Sequence, residues 1–337
     1  MNRQSHNLKF FVTTLGLLMI FLSNLANAAK PWGPTFTDLA KAVNTTALVE
    51  VESQADDEVT VKVKDVILGD FEEGKSLTLK FSDDTFGALS VGETKLVTFS
   101  FLKKHPTLRD EYIEDPNGPR VLDIRGLSTN AAFDVNPKVV ELFGLQKEIL
   151  TVKDDDALTA FQKKNSELLV SAIKTATDIR TQRLLLPELM LRDDLHSVIS
   201  EKQANILLKE LEKSDRSDEL DIMLFTALQK IEATNDKRLA KYSKKLLGQK
   251  SEQVNLASYE PGLIVKALES FPAGSKSKDL HVIEKYLNSN SPSIVKQTIK
   301  AMDTVDADAA HKILADFELS DSAHRDAKQA VASYLKK

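Results

Sequence analysis

The sequence predicts a multidomain β + α protein, in which a small β-barrel is followed by an all-α array of helices. Between residues 47 and 133 apolar and polar residues alternate, as in Val59, Val61 and Val63, and this alternation is typical of half-buried strands. From residue 154 to residue 335 apolar residues recur three and four positions apart, which is typical of amphipathic helices. We therefore divide the chain into a signal peptide, a barrel domain, a connector and a helical domain, at residues 1–28, 30–135, 136–153 and 154–337.

The first 28 residues have the features of a secretory signal peptide. Arg3 and Lys9 form a basic start, residues 10–22 form an uncharged apolar run, and the Ala-Asn-Ala of residues 26–28 fits the small-residue cleavage rule. The apolar run is shorter than the roughly 20 residues that a membrane-spanning helix needs. We expect cleavage before Ala29, with an uncleaved N-terminal anchor as the alternative, and no membrane insertion of the mature chain.

The amino-acid composition excludes sites that depend on Cys and argues against a nucleic-acid partner. The chain has no Cys, which excludes disulfides, thiolate metal sites, a Cys nucleophile and a lipid-modified Cys. An exported chain without disulfides is typical of a bacterial periplasmic or secreted protein. Cleavage leaves 43 of the 45 basic residues against 50 acidic ones, a formal net charge of about −7. Nucleic acid is therefore not expected as a partner, because its binding depends on a basic face.

The predicted strands combine alternation with flanking turn residues, and they lie at residues 46–52, 58–68, 76–81, 94–102, 119–125 and 129–135. A short helix at residues 36–43 precedes them. Turn residues separate the strands, including Gly74, Gly92 and the Asp-Pro-Asn-Gly-Pro of residues 115–119. So many short strands predict a closed or nearly closed barrel, since closure removes exposed edge strands.

Four strand segments carry a family resemblance: ALVEV at 47–51, VKVKDVILGD at 61–70, GKSLTL at 74–79 and VGETKLVTF at 91–99. Their order resembles the OB-fold barrel of the netrin and metalloprotease-inhibitor type, across residues 36–133. The resemblance implies an OB-like barrel that binds through the loops at its mouth. Inhibitors of this type act through a disulfide-bonded N-terminal Cys. This chain has no Cys, so protease inhibition by that route is not expected.

Four residues of the β half are candidate contact residues. Trp32 is the only Trp; it either plugs one end of the barrel or is exposed as a contact residue. Asp110, Glu111 and Tyr112 belong to a predicted loop between strands, where they would form a polar rim beside the barrel mouth. The alternative for these three residues is a solvated loop without a function of its own.

The predicted helices share the three-and-four spacing and lie at residues 157–175, 178–192, 200–214, 219–231, 237–247, 261–271, 278–288, 292–305, 307–317 and 322–335. Residues 137–152 are predicted to form a connector helix that Gly144 interrupts. Pro187 is expected to kink or split the second helix of the array. The acidic run at residues 154–156 favours a helix N-terminus over a metal site, because carboxylates stabilise the positive end of the helix dipole.

The last third of the chain contains a weak internal repeat. The Ile-Val-Lys of residues 264–266 recurs at 294–296, and residues 295–302 resemble residues 327–334. A repeat of about 30 residues with two helices per unit is typical of stacked helix pairs. It resembles the short HEAT-like repeat over residues 219–335 and implies an α-solenoid. The expected shared core of these helices consists of Ile299, Met302, Ile313, Leu314, Val331 and Leu335.

The sequence contains no recognisable catalytic constellation. No G-x-S-x-G, P-loop or G-x-G-x-x-G motif is present, and no His pair has zinc-ligand spacing. We therefore predict no catalytic residue, no cofactor and no metal. The preferred hypothesis is an exported, non-enzymatic binding or scaffold protein that contacts a protein partner through its helices and barrel loops. The alternative is a periplasmic hydrolase with a dispersed active site.

Overall fold

A mainly antiparallel β-sheet comes first in the chain and helices follow it. This order confirms the predicted β-then-α class. The structure is a computed structural model that describes residues 45–55, 58–69, 71–80, 89–104, 112–121, 132–149, 152–213, 216–319 and 325–336. The predicted signal peptide and the short helix at 36–43 lie outside these ranges. Within the ranges, no helix combines the length and the apolar character that crossing a membrane requires.

The six strands of the sheet are β1 (Thr45–Ala55), β2 (Glu58–Gly69), β3 (Ser76–Lys80), β4 (Thr94–Lys104), β5 (Tyr112–Val121) and β6 (Ala132–Asp134). Strand β1 pairs antiparallel with both β2 and β4, and β4 also pairs antiparallel with β5 and β6. Strand β3 pairs antiparallel with β2 and meets β5 in parallel at Lys80 and Arg120. Val59, Val61 and Val63 are fully buried, because successive side chains of a strand point to opposite faces.

Two glycines close the turns that lead into β3 and β4. Gly74 has φ +80° and its N–H donates to the Val63 carbonyl, while Gly92 has φ +86° and its N–H donates to the Val51 carbonyl. Both backbones are in the left-handed region that glycine adopts without steric cost. The two turns predicted at these positions are confirmed.

Strand β5 differs from the sequence prediction. It begins at Tyr112, so the loop predicted to contain Asp110, Glu111 and Tyr112 is wrong from Tyr112 onward. In its register with β4, Glu114 is opposite Leu102 and Pro119 is opposite Phe101, which leaves residues 115–118 without a paired position. Pro lacks the N–H that a ladder needs and Asn-Gly favours a turn, so this segment interrupts the pairing within the strand.

Helix α1 (Pro137–Ile149) runs without a break through Gly144, so the predicted interruption is wrong. Asn136 begins the helix, because its side-chain oxygen accepts a hydrogen bond from the Lys138 N–H at 2.9 Å. A glycine inside a helix costs about 1 kcal/mol relative to alanine. The burial of Leu142 and Phe143, both fully inaccessible to solvent, offsets this cost.

The apolar core is continuous from the sheet into the helices. One buried cluster begins at Ile67, Leu96 and Phe133 of the sheet and passes through Phe143 of α1 to Leu169 in the next helix. A second cluster lies within the sheet and includes Val49, Val61, Leu79, Val97 and Phe99. The region at 136–153, predicted as a connector, therefore takes part in the packing between the sheet and the helices.

The remaining helices are α2 (Asp155–Thr175), α3 (Ile179–Leu191), α4 (Asp193–His196), α5 (Glu201–Leu211), α6 (Asp218–Lys230), α7 (Asp236–Gln249), α8 (Glu260–Ser270), α9 (His281–Glu284), α10 (Pro292–Val305), α11 (Ala307–Leu319) and α12 (Arg325–Leu335). Most agree with the predicted helices within a few residues. The segment predicted at 278–288 is instead the short α9 between two 3-10 turns. Pro187 lies inside α3 and does not split it.

Side chains at the helix starts explain several of these boundaries. Asp154 accepts a hydrogen bond from the Ala157 N–H at 2.8 Å, so the acidic run begins α2 as predicted. Asp178 caps α3 through the Thr181 N–H at 2.7 Å. Ser200 and Gln203 form a reciprocal capping box at α5.

Many polar contacts between the helices join residues that are about 30 to 40 positions apart in the sequence. Arg183 binds Glu219, 36 residues later, and Lys244 binds Asp279, 35 residues later. Near the C-terminus the separation is 31 residues, between Asp303 and Tyr334. Helices α3, α6, α8, α10 and α12 pack successively against one another. Of the six predicted core residues, four are buried, and Ile313 and Leu335 are partly buried against the same cluster.

Candidate functional site

The structure gives no geometry for the predicted rim of the barrel. Trp32, Asp110 and Glu111 lie outside the described residues. Tyr112 is the first residue of β5 and is paired in register with Lys104, so its backbone belongs to the sheet and not to a loop. The candidate sites that can be described therefore lie in the helical array.

A groove of about 790 Å³ runs between α10 and α12. One wall consists of α10 side chains three and four positions apart, and α12 supplies the other wall. The lining residues are Pro292, Lys296, Ile299, Lys300 and Asp303 from α10, with Gln329, Ala330, Ser333 and Tyr334 from α12. This spacing places each set on a single helix face.

The amphipathic character of the two helices creates the groove. The apolar faces of α10 and α12 are buried in the array through Met302 and Val331, both fully inaccessible. Ile299 is 6% exposed and forms part of the groove floor. Opposite it, Ala330 and Ser333 are too small to fill the space between the helices.

The rim of the groove is positively charged. Lys296 and Lys300 are one helix turn apart and exposed, and no described carboxylate pairs with either of them. The Asp303 carboxylate accepts a hydrogen bond from the Tyr334 hydroxyl. Burial and this hydrogen bond raise the pKa of Tyr334 to about 12, so its proton remains on the hydroxyl at neutral pH. The groove thus combines a partly apolar floor with two free ammonium groups.

A second group of residues, on α7, was missed by the sequence analysis. This helix carries five basic residues and one acidic residue, in a chain with a formal net charge of −5. Two of the five, Arg238 and Lys244, bind carboxylates of neighbouring elements. The signal was present in the sequence as basic residues recurring at helical spacing between 237 and 245.

The corner between α3 and α4 holds a dense group of charges. Arg192 binds both carboxylate oxygens of Asp194 at 2.7 Å, and it also binds the fully buried Glu188 at 2.8 Å. These hydrogen bonds, Asp194 foremost, raise the pKa of Arg192. His196 lies 2.6 Å from the Leu189 carbonyl, and burial lowers its pKa. Because these groups bind one another, the cluster holds the corner between the two helices together.

Within the described ranges, no three His, Asp or Glu side chains are placed to hold a metal ion. Comparison with models of protein families, with curated proteins and with solved structures finds no match for the chain. What the protein does must therefore be inferred from its own geometry.

Proposed function

We propose that this chain is an exported, non-enzymatic binding protein that contacts a protein partner through its helical array. The groove between α10 and α12 is the observation that carries the proposal. Its apolar floor suits the apolar side of a helix or of an extended segment, and Lys296 and Lys300 suit acidic residues flanking that side. Clefts lined by apolar groups with a few polar ones at the rim are the usual form of binding sites.

The architecture supports the same role. The pairing of β1 with both β2 and β4, together with the contact of β3 with β5, favours the OB-like barrel. Polar contacts such as Arg183 with Glu219 and Lys244 with Asp279, which join elements about one helix pair apart in the sequence, favour a HEAT-like solenoid of stacked helix pairs. Solenoids offer long surfaces to protein partners. The basic start, apolar run and cleavage motif of residues 1–28 support export to the periplasm or the medium.

The groove suits binding better than hydrolysis. A hydrolytic site needs a nucleophile and a base within hydrogen-bonding distance of each other. Among the lining residues, the Tyr334 hydroxyl donates to Asp303, which is the one carboxylate, and the Ser333 hydroxyl donates to the Gln329 carbonyl, so neither hydroxyl is paired with a free base. Binding requires only the shape and the charge that the groove has.

Affinity capture from periplasmic extract with variants of the mature protein tests this function. Ala330→Trp fills the groove, and Lys296→Glu with Lys300→Glu reverses the charge of its rim. Ala160→Trp is the matched control, because Ala160 is an exposed alanine of α2 outside the groove. We expect at least one protein to be retained by the wild type and the control and to be lost with both groove variants.

Two results would contradict the proposal. One is that the groove variants, shown to be thermally stable, capture the same proteins as the wild type. The other is turnover of ester or peptide substrates that disappears with Ala330→Trp, because this result would favour the hydrolase.

A further inference from the structure

Helix α7 has a charge opposite to that of the chain as a whole. Its five basic residues and one acidic residue give it a net charge of +4, against −5 for the full chain. Leu239, Ala240 and Leu247 are buried on one side of the helix. Its cations are therefore displayed along the side that does not contact the core.

The basic residues in and directly after α7 fall into two classes. Arg238, Lys244 and Lys250 are paired within the array. Arg238 binds Glu212 at 2.7 and 3.0 Å, Lys244 binds Asp279 at 2.5 Å, and Lys250 binds Asp218 at 3.0 Å.

The remaining three, Lys237, Lys241 and Lys245, are four residues apart in sequence, and we call them the lysine row. All three are exposed, and no carboxylate in the described part of the chain forms an ion pair with them. Two of the three, Lys241 and Lys245, help to lower the pKa of Glu212, although Arg238, which hydrogen-bonds to that carboxylate, is the main cause.

Within the described part of the chain, the lysine row does not connect α7 to another element through an ion pair. Like charges four residues apart on a helix repel each other, so the row destabilises α7. The ion pairs that connect α7 to its neighbours are made by the other cations. A row of exposed charges that costs helix stability and forms no ion pair within the described residues is suited to binding a ligand.

We propose that the lysine row binds an acidic α-helix of a protein partner. Each residue of a helix adds 1.5 Å, so the three ammonium groups are spaced by roughly 6 Å over about 12 Å. A partner helix with carboxylates at positions i, i+4 and i+8 repeats this spacing. The proposal rests on the proposed protein-binding function, but it uses a surface separate from the groove between α10 and α12.

An acidic helix fits the row better than a bilayer or a nucleic acid. A bilayer calls for an apolar anchor beside the cations, and α7 itself has no exposed large apolar side chain; those of the described residues are Val91, Val135, Ile179, Leu256 and Tyr259. Nucleic acid calls for more phosphate contacts than three lysines supply. A short helix touches only the row and avoids the negative charge of the rest of the chain.

Fluorescence anisotropy with a synthetic peptide tests the proposal on the mature protein. The probe is a fluorescein-labelled, alanine-rich helical peptide with glutamates every fourth residue, and its control is a scrambled peptide of the same composition. We expect the wild type to bind the patterned peptide at least fivefold more tightly than the scrambled one. Lys241→Glu should weaken this binding at least tenfold.

The controls separate lost binding from lost folding. Lys241→Glu places a carboxylate four residues from both Lys237 and Lys245, which favours the helix, but it also removes a favourable interaction with Glu212, so its Tm should stay close to that of the wild type. Lys163→Glu makes the same charge change at an exposed position of α2 and should alter peptide binding less than twofold. The groove variant Ala330→Trp should also leave peptide binding unchanged. A negative result for partner binding by the groove would therefore not count against peptide binding by the lysine row.

Three results would overturn the proposal. These are equal binding of the two peptides, unchanged binding by Lys241→Glu, and tighter binding to phosphatidylglycerol vesicles or to a 20-base-pair DNA duplex that depends on the row. The last would assign the row to a membrane or to a nucleic acid.

Discussion

His196 is a buried titratable residue at the corner between α3 and α4. One ring nitrogen lies 2.6 Å from the Leu189 carbonyl, and the other lies 3.4 Å from an Asp193 oxygen that also binds Lys230. Burial lowers the pKa of His196, and Lys230 lowers it further, although the Leu189 carbonyl and the nearby Asp193 and Asp194 oppose the shift. The neutral imidazole is therefore the form that the fold accommodates.

The stability of the protein should fall as the pH drops below about 6.5. The unfolded chain binds a proton to histidine near that pH, whereas the folded chain binds it only at lower pH, so acid favours the unfolded state. Urea unfolding at pH 7.5 and pH 5.5 measures the loss, which His196→Gln should reduce. His311→Gln, at an exposed histidine, is the control and should leave the loss unchanged. The same pH dependence in His196→Gln as in the wild type would contradict this account.

At the scale of single elements, two glycines should respond in opposite ways to the same substitution. Gly144 has a helical backbone, and an added Cβ would lie 3.9 Å from Ile67, an ordinary contact. Gly144→Ala should therefore stabilise the protein by about 0.5–1 kcal/mol. Gly74 has φ +80°, so Gly74→Ala should destabilise it by about 1–2 kcal/mol. Urea unfolding midpoints at a constant m-value measure both effects, and two changes of the same sign would be inconsistent with the geometry.

The elements that could be predicted are those whose patterns are local. Strands β1 to β4 and most of the helices could be predicted from the spacing of apolar residues alone. Each of these elements buries one face, so its apolar residues recur with the period of a strand or of a helix. The predicted strand at 119–125 overlaps only the end of β5, because the first residues of β5 are strand only through pairing with β4. The break predicted at Gly144 is wrong because the low helix propensity of glycine is outweighed by the burial of its neighbours Leu142 and Phe143.

The two candidate sites also differ in whether they could be predicted from the sequence. The lysine row could have been found from the sequence, because all its members lie on one helix at a fixed spacing. The groove could not, because it exists only where Ile299 of α10 faces Ala330 and Ser333 of α12. The sequence alone does not specify which helices pack beside each other.

At the scale of the whole molecule, the position of α1 determines how the two halves are coupled. It packs against β2 on one side and against α2 on the other, and its side chains join the two halves of one buried cluster. The sequence patterns of the two halves suggest separate domains. The continuous core suggests instead that the sheet and the first helices unfold together.

Substitution of Phe143 tests this coupling. Phe143 is fully buried where the sheet meets the helices, and Phe143→Ala should cost about 3–5 kcal/mol through lost burial and the cavity left behind. Hydrogen exchange should accelerate in both β4 and α2, while α10 to α12 should change little, because the main contacts of α1 are with β2 and α2. Lys147→Ala, an exposed change on the same helix, should stay within about 0.5 kcal/mol and leave the exchange pattern unchanged. If exchange accelerated on only one side of α1, the sheet and the helices would be separate cooperative units, and α1 would be a connector, as the sequence predicted.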